Sequence, residues 1–186
     1  MIKIIPLTEQ YYQQAIALAN LVHGDNYLDL ANLIKMQSKA TKNGINANFI
    51  ALEDDNVVGL RLSYAANQWP LDEWCSPSLW PCQQDKMAYF KCIAVDPNQQ
   101  GKGFGPKLLN ASIEALKQQG AKAGIGHLWQ QSPGNGAVKY FTNAGGKLIK
   151  EHKNRWYNYS IEENYHCTIC GVPCYCSAAE MVIEFS

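Results

Sequence analysis

The hydrophobic and polar positions of the chain switch repeatedly between two periods. Lys3 to Pro6 reads as a short strand. Thr8 then stands as a helix N-cap with Glu9 in the first turn, and Tyr12, Ile16, Ala19 and Val22 recur at helical spacing until Gly24. Asn26 caps a second predicted helix with Leu28, Ala31, Ile34 and Met36 on its apolar side, stopping near Asn43-Gly44. Asn48 to Leu52 and Val57 to Ala65 are β-rich, and Glu53-Asp54-Asp55-Asn56 between them makes a hairpin turn. Met87 to Val95 is an apolar strand. Pro106 to Gln119 is an amphipathic helix with Leu108, Leu109, Ile113 and Leu116 inward. Lys122 to Gln130 is a further strand, with His127 and Trp129 on one face and Leu128 on the other. Lys147 to Glu151 and Glu180 to Phe185 are the last two strands.

Asn67 to Asp85 breaks this rhythm. It carries Pro70, Pro77 and Pro81 together with Trp69, Trp74 and Trp80. Indoles in a loop either cover the core edge or wall a pocket, and the residues alone leave both open.

With 186 residues the chain suits one domain, 1-186, with a real core. Lysine and arginine total 16, matched by 16 acidic residues, so charge offers no support for a nucleic-acid or anionic-membrane partner. No apolar run reaches membrane-span length, and the start lacks a signal-peptide core, so a cytoplasmic protein is expected.

Between the Met87 strand and the Pro106 helix lies Val95-Asp96-Pro97-Asn98-Gln99-Gln100-Gly101-Lys102-Gly103-Phe104-Gly105. Glycines leave the backbone amides uncovered, and the helix that follows adds its positive dipole end, so this loop is suited to hold phosphate. The spacing is neither the dinucleotide fingerprint nor a P-loop. It resembles the acetyl-CoA loop of the GNAT superfamily of N-acetyltransferases, Gln/Arg-x-x-Gly-x-Gly/Ala after Val-x-Pro. The resemblance spans about residues 1–160 plus the last strand. It implies an α/β fold with a mixed, twisted central sheet flanked by helices. It also implies acetyl-CoA as cosubstrate, held by Gln100, Gly101, Lys102, Gly103, Phe104 and Gly105, with its pantetheine arm along the backbone of Ile93, Ala94 and Val95.

Asn135 to Gly146 is similar to the second family signature, in which an Asn touches the cofactor and a Tyr four residues before the Gly protonates the departing thiolate. Asn135 takes the first role. Phe141 occupies the tyrosine position and Tyr140 stands one residue away, about 100° round a helix. Either Tyr140 is the catalytic acid in a shifted register or the acid is missing. Tyr89 to Ala94 holds no carboxylate where many relatives carry a general base, which leaves a water relay or a loop acid such as Asp72, Glu73 or Asp85. Cys92 reads as a small buried apolar residue, His23 as a cation at a helix C-terminus, and His127 as a core histidine.

Residues 162-178 form a cysteine-rich insertion that the family pattern does not supply. Cys167-x-x-Cys170-Gly171 looks like half a zinc knuckle, and Cys174-x-Cys176 completes a tetrathiolate. Disulfides or free thiols are the other readings.

The expected function is transfer of an acetyl group from acetyl-CoA to a primary amine, small-molecule or peptide, by direct attack. The reading from another class is a non-catalytic acyl-CoA-binding sensor or interaction module.

Overall fold

The computed structural model describes residues 2–186. Seven strands form one sheet: β1 (Ile2–Pro6), β4 (Phe49–Glu53), β5 (Asn56–Tyr64), β6 (Met87–Val95), β7 (Ala123–Trp129), β9 (Ala178–Glu184) and β8 (Lys147–His152), in the order β1-β4-β5-β6-β7-β9-β8. β2 (Thr41–Lys42) and β3 (Ile45–Asn46) make a separate two-stranded ribbon. In the main sheet every pairing is antiparallel except that of β6 with β7.

That parallel contact is short. Met87, Ala88, Tyr89 and Phe90 pair with Ala123, Gly124, Ile125 and Gly126, after which the strands separate. Beyond Phe90, β6 keeps only β5, and beyond Gly126, β7 keeps only β9, so the sheet opens between them. Gly124 lies where a Cβ would stand 2.3 Å from the Phe90 ring, so only glycine allows the close packing at the fork.

A bulge sits at the same place. Leu62 opposes Cys92 and Ser63 opposes Phe90, which leaves Lys91 as the extra residue. Its effect shows in the cores. Phe90 and Ile93, three apart, face the same side, whereas Cys92 and Ala94 face the other. Strict alternation would not allow that arrangement.

Helices α1 (Tyr12–His23) and α2 (Leu30–Ala40) cover one face, with Leu18, Leu33, Leu60, Leu62 and Cys92 in its core. Helices α3 (Phe104–Gln118) and α4 (Gly136–Asn143) cover the other, around Phe90, Leu109, Leu116 and Phe141. A short α5 (Tyr157–Glu162), which the periodicity does not reveal, precedes the cysteine-rich segment.

The second helix begins later and ends earlier than the spacing predicts. Asn26 takes a left-handed turn conformation, φ 64°, and lies four residues before the helix begins at Leu30. Asp29 caps instead, its carboxylate accepting the Asn32 N–H at 2.8 Å. Asn43 and Gly44 both have positive φ, the geometry of a two-residue hairpin, so they turn the β2–β3 ribbon instead of ending a helix. Among the described residues no helix is long and apolar enough to cross a membrane.

Candidate active site

The glycine loop is held open by its own side chains. The Asp96 carboxylate accepts the Asn98 N–H at 2.8 Å and fixes the first turn. Lys102 Nζ donates to Gln99 Oε1 at 2.6 Å, and Gln99 Nε2 donates to Glu53 at 2.6 Å. Gly101 and Gly103 have φ +78° and +80°, and no atom lies within 4 Å of where a Cβ would stand on either. Gly103 is the N-cap of α3, and Gln100 donates to the Val95 carbonyl. Among the described residues the N–H groups from Gln100 to Gly103 find no acceptor. Four uncovered amides at a helix head form an anion cradle. The Phe104 side chain is turned away into the core, so its contribution here is its N–H.

The opened stretch of β6 adjoins this loop. Residues Lys91 to Val95, including Ile93, Ala94 and Val95, have no partner on β7. His23 reaches that stretch from the end of α1, its Nε2–H donating to the Ile93 carbonyl at 2.9 Å. Cys92 Sγ lies 3.4 Å from the same nitrogen. Burial disfavours the imidazolium, but the Cys92 thiol and the Ile93 carbonyl outweigh it and raise the His23 pKa. Burial raises the thiol, and His23 outweighs that to lower the Cys92 pKa. His23 is therefore a hydrogen-bonded partner of the central strand and not only a helix-end cation. Cys92 is buried as the spacing predicts, with a polar partner the sequence does not show.

On the α3 side, Tyr140 and Phe141 take different roles. Phe141 is fully buried and meets the Phe90 ring edge-on. Tyr140 is half-buried beside the head of α3, where a Cβ on Gly105 would stand 3.7 Å from its ring. Arg61 Nη1 donates to its hydroxyl at 2.7 Å. Arg61 is 1% exposed, its guanidinium lies 4.7 Å from the Phe90 ring centre, and its Nε and Nη2 have no partner. Burial pushes the Tyr140 phenol up while Arg61 pulls it back down, for a net rise. Asn135 opens α4 in a left-handed conformation, exposed and making no cap bond.

On the α1–α2 side the fork adjoins a cavity of about 150 Å³ lined in part by Tyr89, Lys91, Trp69 and Asp72. Of the loop acids, only Asp72 lines this cavity. Tyr89 O–H donates to His127 Nδ1 at 2.7 Å, since His127 Nε2–H is spent on the Trp74 carbonyl at 2.6 Å. Burial is the main cause that holds His127 down at about 4, so it is neutral near pH 7, a satisfied histidine as its sequence context suggests.

The tryptophan loop is fastened by Glu180, fully buried on β9. Its carboxylate accepts from Ser76 N (2.8 Å), Ser76 Oγ (2.8 Å), Trp80 Nε1 (3.0 Å) and His152 Nε2 (2.8 Å). Trp69 and Trp80 are core residues, while Trp74 stays half-buried with the Arg155 guanidinium over its ring at 5.3 Å. The loop thus does both things its indoles suggest: it closes the core edge and walls the cavity. Glu180, His127 and His152 lie close enough to share a metal, but the carboxylate and both His127 nitrogens already have protein partners.

The four cysteines of the insertion do converge. Their Sγ atoms all lie within 4.8 Å of one another, with Cys167–Cys176 at 3.8 Å and Cys170–Cys174 and Cys170–Cys176 at 3.5 Å. Ile169 N–H points at Cys167 Sγ (3.4 Å) and Tyr175 N–H at Cys170 Sγ (3.3 Å). No disulfide joins them, and His166 is exposed and outside the group. The cluster packs on Tyr27, Trp129 and Tyr165, and Tyr165 O–H donates to the His23 carbonyl at 2.7 Å.

Residues 14–145 match the model of the Acetyltransferase (GNAT) family. A search of curated proteins by sequence finds no match. Among solved structures, the ribosomal-protein-S18-alanine N-acetyltransferase of Escherichia coli superposes with TM-score 0.69 at 15% identity, covering 100% of this chain and 95% of that one. An N-acetyltransferase of Staphylococcus aureus Mu50 gives 0.70 at 13% identity, covering 100% and 99%. yncA of Salmonella typhimurium, solved with its cofactor acetyl-CoA, gives 0.66 at 14% identity, covering 100% and 94%.

Proposed function

The chain belongs to the acetyltransferase (GNAT) family, and we propose that it moves an acetyl group from acetyl-CoA to a primary amine by direct attack. One observation carries this reading: the uncovered amides from Gln100 to Gly103 head α3 directly beside the stretch of β6 that has no partner on β7. An anion cradle and an open strand edge are what a pyrophosphate joined to an extended arm requires.

Acetyl-CoA supplies the activated acetyl group. Gln100 to Gly105 hold its phosphates, Ile93 to Val95 line its arm, and Asn135 contacts it at the head of α4. The acceptor amine approaches from the α1–α2 side, where the cavity lies. Its nitrogen forms the new bond to the acetyl carbon, the carbon–sulfur bond breaks, and the amine proton leaves. Asp72 is the cavity carboxylate able to receive that proton through water, and Tyr140 protonates the departing thiolate. Holding both reactants at one fork supplies much of the rate.

The cysteine insertion carries one structural zinc ion in this reading. Tetrahedral zinc at about 2.3 Å from each sulfur places the sulfurs about 3.8 Å apart, close to the separations here, and amide N–H groups aimed at thiolates support the charge.

The test is release of free thiol from acetyl-CoA against a panel of amines, with wild type, Gly103→Glu and Tyr140→Phe. Amine-dependent release that Gly103→Glu abolishes is expected. Tight acetyl-CoA binding without release on any amine would instead make this chain a binding module.

A further inference from the structure

We propose that the acceptor is a primary amine that also bears an anionic group, carboxylate or phosphate, recognised by Lys91 with Arg155 and Lys39 in the cavity beside the fork. This deepens the acetyl-transfer reading and rests on it.

The bulge is the first ground. Lys91 is the one unpaired residue of β6 and stands where β6 leaves β7, so the bulge places its ammonium at the acceptor side of the fork. The cavity there is lined by Lys39, Lys91 and Arg155 against a single carboxylate, Asp72. The chain as a whole is balanced, 16 against 16, so this excess of positive charge is local.

The carboxylate is held in place by the protein and offsets only part of this charge. Asp72 Oδ1 accepts from the Trp74 N–H at 2.9 Å and from the Cys75 thiol at 3.5 Å, and Oδ2 lies 3.6 Å from Arg155 Nη2. Lys91 Nζ has no acceptor within hydrogen-bonding distance among the described residues, and Arg155 Nε is buried without a partner. Burial, then the neighbouring Arg155 charge, push the Lys91 pKa down, so an added negative charge beside it would favour its ammonium form. An anion of the acceptor would satisfy it.

The same field helps the chemistry. Cations near an acceptor ammonium favour its neutral form, which is the form that attacks. Trp69, Tyr64 and Tyr89 supply flat apolar walls around the charged group.

The experiment compares matched acceptors: amino acids with their amides, and phosphoethanolamine with ethanolamine. Thiol release is measured with wild type, Lys91→Met and Lys91→Glu. Binding of the same compounds without acetyl-CoA is followed by tryptophan fluorescence. A hydrogen bond to a charged group corresponds to about 10- to 100-fold. The anionic member of at least one series is expected to show kcat/KM higher by that factor, and the two series separate carboxylate from phosphate. Lys91→Met should erase the preference, and Lys91→Glu should reverse it. Equal use of the neutral partners, or a preference that survives in both variants, overturns the proposal. Charge-dependent binding lost in Lys91→Met, with no thiol release on any amine, would keep the anion site and remove the transferase. Thiol release with no charge preference would do the opposite.

Discussion

Arg61 on β5 donates to the Tyr140 hydroxyl on α4 across 2.7 Å. The guanidinium occupies a lone pair of the phenol oxygen, which leaves the phenolic hydrogen free to be given elsewhere. The pair also answers what a phenylalanine does at the expected tyrosine position. Phe141 fills the core under Phe90, and Tyr140 beside it lays its ring against Gly105 of the glycine loop and turns its hydroxyl to Arg61.

Tyr140→Phe should lower kcat by about 100-fold with little change in the KM for acetyl-CoA, the usual scale for losing a general acid. Arg61→Lys should retain more activity than Arg61→Met, because it keeps the charge. The proton donor must be protonated, so rate falls as pH rises through the phenol pKa. Burial raises that pKa and Arg61 lowers it, so the alkaline limb should move upward in Arg61→Met. A pH–kcat profile of the three variants reads both effects.

Gly103→Val should strain the head of α3 by about 1–2 kcal/mol, because the residue sits at φ +80° with open space around it. The cost is conformational and falls on the anion cradle. The KM for acetyl-CoA should rise well beyond what the small change in unfolding midpoint suggests. An unchanged KM, measured alongside urea unfolding, would count against the cradle.

Glu180→Ala should destabilise the fold by about 3–5 kcal/mol, since four donors, two of them backbone or side chain of Ser76, lose one buried acceptor. Glu180→Gln, which keeps the shape and loses the charge, should cost less. Increased proteolysis between residues 70 and 82 would mark release of the tryptophan loop in the alanine variant.

Stability should fall as pH drops from about 6.5 to 4, with His127 as a principal cause. Its ordinary value of 6.5 is lowered to about 4 in the fold, so within that window the unfolded chain binds a proton that the folded one refuses. Tyr89, Trp74 and the Arg155, Glu180 and Asp72 charges surround it. Glu180 adds to the loss at the acid end, because its own pKa is lowered and its stabilisation disappears as pH falls through that value. Urea midpoints from pH 7.5 to 4 should be steeper for wild type than for His127→Gln.

One zinc ion per chain is expected by elemental analysis, and none in Cys174→Ser. A strong chelator should lower the melting temperature by at least about 5 °C, as loss of a structural site does. A full complement of metal in Cys174→Ser would exclude the tetrathiolate.

Much of this was legible in the sequence. The strands, the glycine loop and α3 announce themselves because backbone turn chemistry and periodic burial are local. The second helix differs from its spacing at both ends because Asn26 and Asn43 take turn conformations instead of helix-end positions. What escaped is tertiary. Arg61 and Glu180 stand alone among apolar neighbours on their strands, and that isolation was the available signal that each has a buried partner. Lys91 stands alone in the same way on Met87–Val95, but the bulge that displaces it is a property of two strands in register and cannot be read from one. The partnering of Cys92 with His23 joins residues 69 apart and could not be read from either.

The position of β9 has a consequence for how the molecule comes into being. It follows all its sheet-mates in sequence yet lies in the interior, between β7 and β8. During vectorial synthesis, therefore, β7 has its short contact with β6 and no second neighbour until residues 178–184 have emerged. Glu180 arrives in that same stretch, so the tryptophan loop lacks its buried anchor at Ser76 and Trp80 until then. The wall of the cavity thus waits on a closure spanning about a hundred residues, a slow class of contact. A nascent chain halted before residue 178 should hold the glycine loop and still lack a formed acceptor side.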